Sequence, residues 1–300
     1  MLNPEYFENT LSYLKFNKNT EITAEINPET VDEKYLSALL NVGVNRLSIG
    51  VQDFHDAILK EIGRIHNSKK AEEIIRNAQE VGFKNISVDL IYGLPNQTKN
   101  MFLESLDKAF SLDIQHISFY GLKIEKGCYF YKNKPSNLPD DDMQADYYLS
   151  DIKNCKKAGF EHYEISNFAK PDFYSRHNLN YWNNENYYGF GVGASGYQGN
   201  IRYYNETNPE KYIENPFKKF REDILTSAQQ LEEEIFLGFR KCKGINVEKI
   251  NRKFGIDFEK DYKEPLKKYL GKHILKTHNG YKLSDEGILV SNIILSEFLC

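Results

Sequence analysis

A chain of 300 residues that is 40% hydrophobic and 27% charged, with 19 Gly and 9 Pro, can bury the core of one large domain or two ordinary ones. It is no collagen, disordered tail or disulfide-stapled peptide. Its 39 Lys and Arg against 43 Asp and Glu leave a net charge of -4, so no global positive field holds a phosphate backbone, and nucleic acid is not an expected partner. The four cysteines, Cys128, Cys155, Cys242 and Cys300, are too dispersed for a CxxxCxxC run or a structural zinc site. With no signal peptide, and no apolar run approaching the roughly 20 residues that span a bilayer, a cytoplasmic protein with free thiols and no transmembrane segment is expected.

From residue 21 onward, short β-rich runs alternate with amphipathic stretches. Residues 21–28, 45–52, 85–95 and 116–124 read as strands because their β-branched and aromatic residues lie between turn signals. Residues 31–43, 68–82 and 100–112 read as helices from apolar positions at i, i+3 and i+4, two of them closing on Gly. Repeated β/α units imply parallel strands covered by helices, in an open sheet or in a barrel. Three strands carry a polar residue near the C-terminal end, the edge where β/α folds hold ligands: Glu25, Gln52 and Asp89. Arg64, beside Gly63 in EIGRIH, adds a guanidinium. Two carboxylates, an amide and a guanidinium suit a polar small molecule bearing amine, carboxylate and ribose hydroxyl groups.

The middle of the chain is rich in Tyr, Asn and Gly. Residues 140–160 read as a helix with an acidic first turn, favourable against the helix dipole. Residues 162–199 are poor helix material, and GFGVGASG within them offers a backbone that approaches a ligand or another strand closely. An irregular antiparallel extension and a ligand surface both fit this composition. In HNLNYW, His177 and Asn178 follow Arg176 and precede Tyr181 and Trp182, the only Trp. A heme edge, a porphyrin propionate held by Arg176, or a packed Trp beside a hydrogen-bonded His would each use these groups. Beyond residue 226, helices over 228–242, 246–255 and 257–270, a hairpin over 274–284 and a last helix over 285–299 outline a winged-helix-like module, structural rather than DNA-binding on the acidic charge balance. Walker A, GxGxxG, HExxH and GxSxG motifs are absent.

Taken together, AEINPET, GVNRLSIGVQDFHDAILKEIGRIH, NISVDLIYGLPNQT, HISFYGLKIEKG, YEISNFAKP and SRHNLNYWNNENYYGFGVGASGY resemble the oxygen-independent coproporphyrinogen III oxidase family of radical S-adenosylmethionine (SAM) proteins, and within it most closely the heme chaperone branch. The resemblance implies an incomplete α/β partial TIM-type barrel over 1–128, a barrel extension and linker over 129–225, and a C-terminal helical, winged-helix-like domain over 226–300. By position, Glu25 and Asp89 resemble the family's acidic SAM contacts, Gln52 its strand-end amide and Arg64 its cofactor-associated arginine. His177 is the heme-ligand candidate, and no residue is assigned a catalytic role. The family's CxxxCxxC loop, which holds a 4Fe-4S cluster, and its GGGTP motif both precede the matched segments, so the resemblance implies a chain lacking cluster ligands, whose strand at 21–26 is an uncovered sheet edge. The implied function is a heme chaperone-like protein that receives heme and delivers it to membrane-associated respiratory proteins, with a separate N-terminal fragment as a further partner. The alternatives are a fragment of an oxidase acting in porphyrin biosynthesis by SAM-dependent oxidative decarboxylation, and a non-enzymatic scaffold from a split or degraded gene.

Overall fold

The computed structural model describes residues 3–299, so Cys300 lies outside the described residues. The chain forms two compact units, Met1–Tyr174 and Ser175–Cys300.

The first unit begins with α1 (Pro4–Ser12) and continues through β1 (Thr23–Ile26), α2 (Glu33–Asn41), β2 (Arg46–Gln52), α3 (Asp56–Glu61), α4 (Ser68–Val81), β3 (Ile86–Tyr92), α5 (Lys99–Ser111) and β4 (His116–Gly121). It ends with α6 (Tyr129–Lys132), α7 (Asp141–Lys157), β5 (Glu161–Glu164) and β6 (Asn167–Ala169). The six strands form one sheet in the order β1-β2-β3-β4-β6-β5, parallel from β1 to β4 and antiparallel beyond. Among the described residues β1 pairs only with β2.

Local sequence accounts for the helices. In α4, Ala71, Ile74, Ile75 and Ala78 share one buried stripe; the Asn67 side chain caps the start by accepting from the Lys70 amide, and Gly82 closes the end at φ 115°, a left-handed conformation that an L side chain resists. Thr98 and Asp140 cap α5 and α7 in the same way. The six-residue α3 is too short to show periodicity and is not legible in the sequence.

The strands sort their residues by parity. Leu47, Ile49 and Val51 of β2, Ile86, Val88 and Leu90 of β3, and Ile117 and Phe119 of β4 are all fully buried on one face. Each such side chain stabilises the fold by about 1.5–3 kcal/mol. Phe102 of α5 meets Phe119 edge-on at 5.8 Å and stacks on Tyr147 of α7, while Phe119 meets Phe168 of β6. The opposite face carries Glu25 of β1, Arg46, Ser48 and Gly50 of β2, Ser87 and Asp89 of β3, His116 and Ser118 of β4, and Asn167 of β6, which are register partners or two residues apart. Parallel sheets normally bury apolar residues on both faces. A polar second face is therefore a departure that needs a use.

The second unit holds α8 (Arg176–Trp182), β7 (Ser195–Gln198), β8 (Ile201–Asn205), α9 (Pro209–Glu214), β9 (Lys219–Ile224) and α10 (Ser227–Gly238). It closes with β10 (Ile245–Asn246), α11 (Val247–Phe254), α12 (Phe258–Asp261), α13 (Lys263–Tyr269), β11 (Ile274–Lys276), β12 (Gly280–Leu283), α14 (Asp285–Leu289) and α15 (Ser291–Ser296). Strands β7, β8 and β9 form an antiparallel sheet, and β10, β12 and β11 a second. In the GFGVGASG segment, a Cβ on Gly189 would fall 2.1 Å from the Ser195 carbonyl oxygen, and one on Gly196 would fall 2.2 Å from the Tyr203 ring. These glycines admit neighbouring chain, the strand-packing option.

Three helices, the hairpin and the two-residue β10 complete the winged-helix outline. The helix expected over 257–270 is two pieces parted at Tyr262, because Pro265 has no N–H to bond the Asp261 carbonyl. The helix expected over 285–299 is likewise parted, at Val290. Ser284 caps the first piece, and Gly287 lies so close to the His273 carbonyl that a Cβ would be 2.1 Å away. The second piece turns to bury Ile294 and Leu295.

Candidate functional site

The polar face of the first sheet is built around Asp89. This residue sits in the middle of β3 rather than at its end, because Leu90, Ile91 and Tyr92 go on pairing with Phe119, Tyr120 and Gly121. Ser48 Oγ lies 3.1 Å from both carboxylate oxygens, and Ser87 Oγ is 3.4 Å from one of them. Burial pushes the Asp89 carboxyl above its ordinary value, against hydrogen bonds from Ser118 and Ser48 and the nearby Arg46 charge. Glu25, exposed, is the register partner of Ser48.

Beside it, His116 is fully buried between Ser87 Oγ and the Tyr163 hydroxyl, each at 2.7 Å. Burial, helped by the Arg46 charge, holds its imidazole well below the usual value, so it is neutral. Burial and the Asp89 charge push the Tyr120 phenol up to about 12. Arg46 Nε and Asn167 Oδ1, both on this face, are buried without a hydrogen-bond partner. Unsatisfied buried polar atoms cost roughly 1–3 kcal/mol each.

The second half of the site lies at the C-terminal end of β2. A register shift between Gly50 and Gln52 and a positive φ of 70° at Gln52 break the strand's regular course, as a bulge does where a side chain must be re-aimed. The Gln52 amide returns over Gly50, where a Cβ would lie 2.8 Å from Gln52 Nε2 and 2.9 Å from Asn27 Oδ1. Arg64 Nη1 donates to Asn27 Oδ1 at 3.1 Å and lies 3.9 Å from Glu29 Oε1. Gln52 and Arg64 are thus brought together over Gly50, the register partner of Asp89, and Asp89 is joined through Ser48 to the row that contains Glu25. Glu25, Gln52 and Asp89 belong to the strands of this sheet, and Arg64, in the connection between α3 and α4, joins them through Asn27.

His177 is not part of that cluster. It lies exposed near the start of α8 in the other unit, its ring edge-on to Tyr181 at 4.7 Å. Trp182 is half-buried, with the Arg240 guanidinium 5.5 Å over its ring and its indole N–H buried without a partner. Its ring face is thus covered by Arg240.

Asn27, Glu29, Ser48, Gly50 and His66 complete the site and escape a search for strand-end residues. For Ser48 and Gly50 the signal is the period-2 alternation of RLSIGVQ, which places both opposite the apolar face. Asn27, Glu29 and His66 lie in connections and have no periodic signal.

Cluster chemistry finds no support in the cysteines. Cys155 is fully buried, its thiol pushed well up by burial and by Asp151, the opposite of the thiolate that binds iron. Cys128 is exposed, Cys242 belongs to the other unit, and no three His, Cys, Asp or Glu among the described residues converge to hold a metal ion. The residues present do not fit a 4Fe-4S cluster.

Residues 1–109 match the radical SAM superfamily and residues 225–290 the HemN C-terminal domain. The heme chaperone HemW of Lactococcus lactis is 38% identical over 285 residues, covering 93% of this chain and 75% of that protein. The heme chaperone HemW of Bacillus subtilis is 37% identical over 290 residues, covering 93% and 76%. Among solved structures, the radical SAM coproporphyrinogen III oxidase HemN of Escherichia coli superposes with a TM-score of 0.84 at 21% identity, over 99% of this chain and 74% of that one, a likeness of fold. With its radical SAM fold and this relationship along nearly its whole length, the chain belongs to the HemW family of the radical SAM superfamily.

Proposed function

We propose that this chain binds heme and passes it to membrane-associated respiratory proteins, and that its polar cleft takes SAM. The observation that carries the heme reading is the 37–38% identity to heme chaperones over 93% of the chain. A cavity of about 630 Å³ beyond the ends of β3 and β4 supports it, lined by Leu122, Ile124, Phe130, Tyr131, Pro135 and Lys134 among others. Leu122, Ile124 and Phe130 offer a flat macrocycle apolar contact and Lys134 offers a carboxylate an ammonium group, beside polar lining from Ser136, Gln144 and the Asp141 carboxylate. No helix among the described residues is long and apolar enough to cross a membrane.

In the cleft, Glu25 and Asp89 are the acceptors for ammonium and ribose hydroxyl groups, Arg64 the donor pair for a carboxylate, and Gln52 an amide able to do either. SAM supplies radical chemistry in this superfamily only together with a cluster. Among the described residues no cysteines suit one, and the role assigned to this chain's own residues is to bind and orient SAM.

The test is a heme titration followed in the Soret band, with wild type, Phe130→Ala and His177→Ala. Saturable binding weakened by Phe130→Ala supports the cavity. A changed Soret position in His177→Ala makes that imidazole the iron ligand, and an unchanged one removes it. No saturable binding by the wild type contradicts the proposal.

A further inference from the structure

We propose that His66 is a positioning residue for the cleft: its buried imidazole fixes the strained turn that carries Gln52 and, through Glu29, the guanidinium of Arg64. The inference rests on Gln52 and Arg64 being ligand contacts, and it explains what holds them.

Gln52 is the central residue of a three-residue turn. The Asp53 amide donates back to the Val51 carbonyl at 2.9 Å, and Gln52 itself stands at φ 70°. A γ-turn with positive φ is rare and strained, and a residue held there persists only when its surroundings over-determine it. The Val51 carbonyl that closes this turn accepts a second hydrogen bond, from His66 Nε2 at 3.2 Å. The other ring nitrogen, Nδ1, is 2.7 Å from Glu29 Oε2. The remaining oxygen of Glu29 is the one that faces Arg64 at 3.9 Å, and Arg64 also reaches Asn27.

One imidazole therefore ties three separate segments: the turn after β1, the end of β2 and the connection into α4. A carbonyl only accepts, so Nε2 is the donor to Val51.

Apolar packing does not do this work. His66 is the one buried residue between Glu61 and Ser68, and Ile65, between the two anchored residues, is 85% exposed. Backbone bonds tie residues 62–64 to α3, the Arg64 amide donating to the Leu59 carbonyl at 2.9 Å, and the contacts that reach the ends of β1 and β2 come from the Arg64 and His66 side chains. The His66 side chain, with no exposed surface, cannot touch a ligand. Any effect it has on binding passes through Gln52 and Arg64.

The experiment measures SAM affinity by calorimetry for wild type, His66→Gln, Arg64→Ala and the double variant, together with hydrogen exchange of the Asp53 amide and of the β3 amides. His66→Gln is expected to weaken SAM about tenfold, the scale of one charge-assisted hydrogen bond, and to have little further effect once Arg64 is gone. It is also expected to speed exchange at Asp53 while β3 stays protected. Glu29→Gln, which leaves the ring on Val51, is expected to weaken SAM while keeping Asp53 protected.

Independent effects of His66→Gln and Arg64→Ala, or unchanged Asp53 exchange in His66→Gln, overturn the proposal. Loss of protection throughout β3 does so as well, since it makes His66 a general stability residue. Should the wild type have no affinity for SAM, the reading of the cleft falls. The exchange at Asp53 still decides whether His66 holds the turn. Should His66→Gln fail to fold, Glu29→Gln decides: unchanged SAM affinity in it, or lost Asp53 protection, overturns the proposal.

Discussion

Gly50 lies beneath the side-chain amide of Gln52, so close that a methyl group on Gly50 would come within 2.8 Å of Nε2. The same methyl would come within 2.9 Å of Asn27 Oδ1, the atom that accepts from Arg64. Two side chains of the cleft thus converge over one position that has no side chain, and Arg64 is tied to them through Asn27.

Gly50→Ala is therefore expected to displace the Gln52 amide and to loosen Arg64. The obstructing atoms are ends of flexible side chains and Gly50 has no positive φ, so the fold gives way locally, at a cost of about 1 kcal/mol or less in stability. SAM affinity falls about tenfold. Calorimetric titration beside chemical denaturation checks both, and a variant that binds SAM as tightly as wild type removes Gly50 and Gln52 from the site.

Asp151 of α7 gives a pH signature. It is fully buried, neither carboxylate oxygen has a hydrogen-bond partner, and burial pushes its carboxyl well above the ordinary value, opposed by the Lys99 charge. A raised acid is held by the folded chain in its protonated form. The stability this gives is present below the ordinary carboxyl value and is lost as pH rises from there towards the folded value. Asp151→Asn, with no proton to lose, removes that part of the decline. Denaturation midpoints followed from about pH 4 to neutrality are expected to converge on or rise above wild type as pH increases. Curves that stay parallel contradict the assignment.

In the second unit, Arg202 makes a two-pronged contact with Glu233, Nε at 2.8 Å and Nη2 at 2.7 Å, while its guanidinium stacks over Tyr197 at 4.6 Å. Lysine offers neither the fork nor the planar stack. Arg202→Lys is expected to cost about 1–2 kcal/mol, read by urea denaturation, with most of the loss absent in a Glu233→Gln background. Equal losses in both backgrounds contradict a paired role.

The sequence carries the sheet plainly, because each parallel strand has an uninterrupted apolar parity and each long helix its cap and stripe. Glu25, Gln52, Arg64 and Asp89 were legible as a polar set, though Asp89 proved central to its strand. What stayed hidden depends on contacts made by single residues in connections. Nothing near His66 in the chain announces that its ring reaches back to Val51 and across to Glu29, and a turn at Gln52 is invisible in a residue type that favours no positive φ. Short elements such as α3 and β10 hold too few residues to show a period. The breaks at Tyr262 and Val290 come from one proline and from tertiary burial, which propensity alone does not weigh.

The central claim is that the chain carries heme and gives it up to an acceptor. The direct measurement loads the purified chain with heme, removes the excess and mixes it with a heme-free respiratory cytochrome in membrane vesicles, following the spectrum of each. The account predicts saturable loading and a Soret band that leaves the chain as the acceptor's own spectrum appears, faster than from a heme–albumin control. Loading that never saturates, or heme that reaches the acceptor no faster than from albumin, contradicts it.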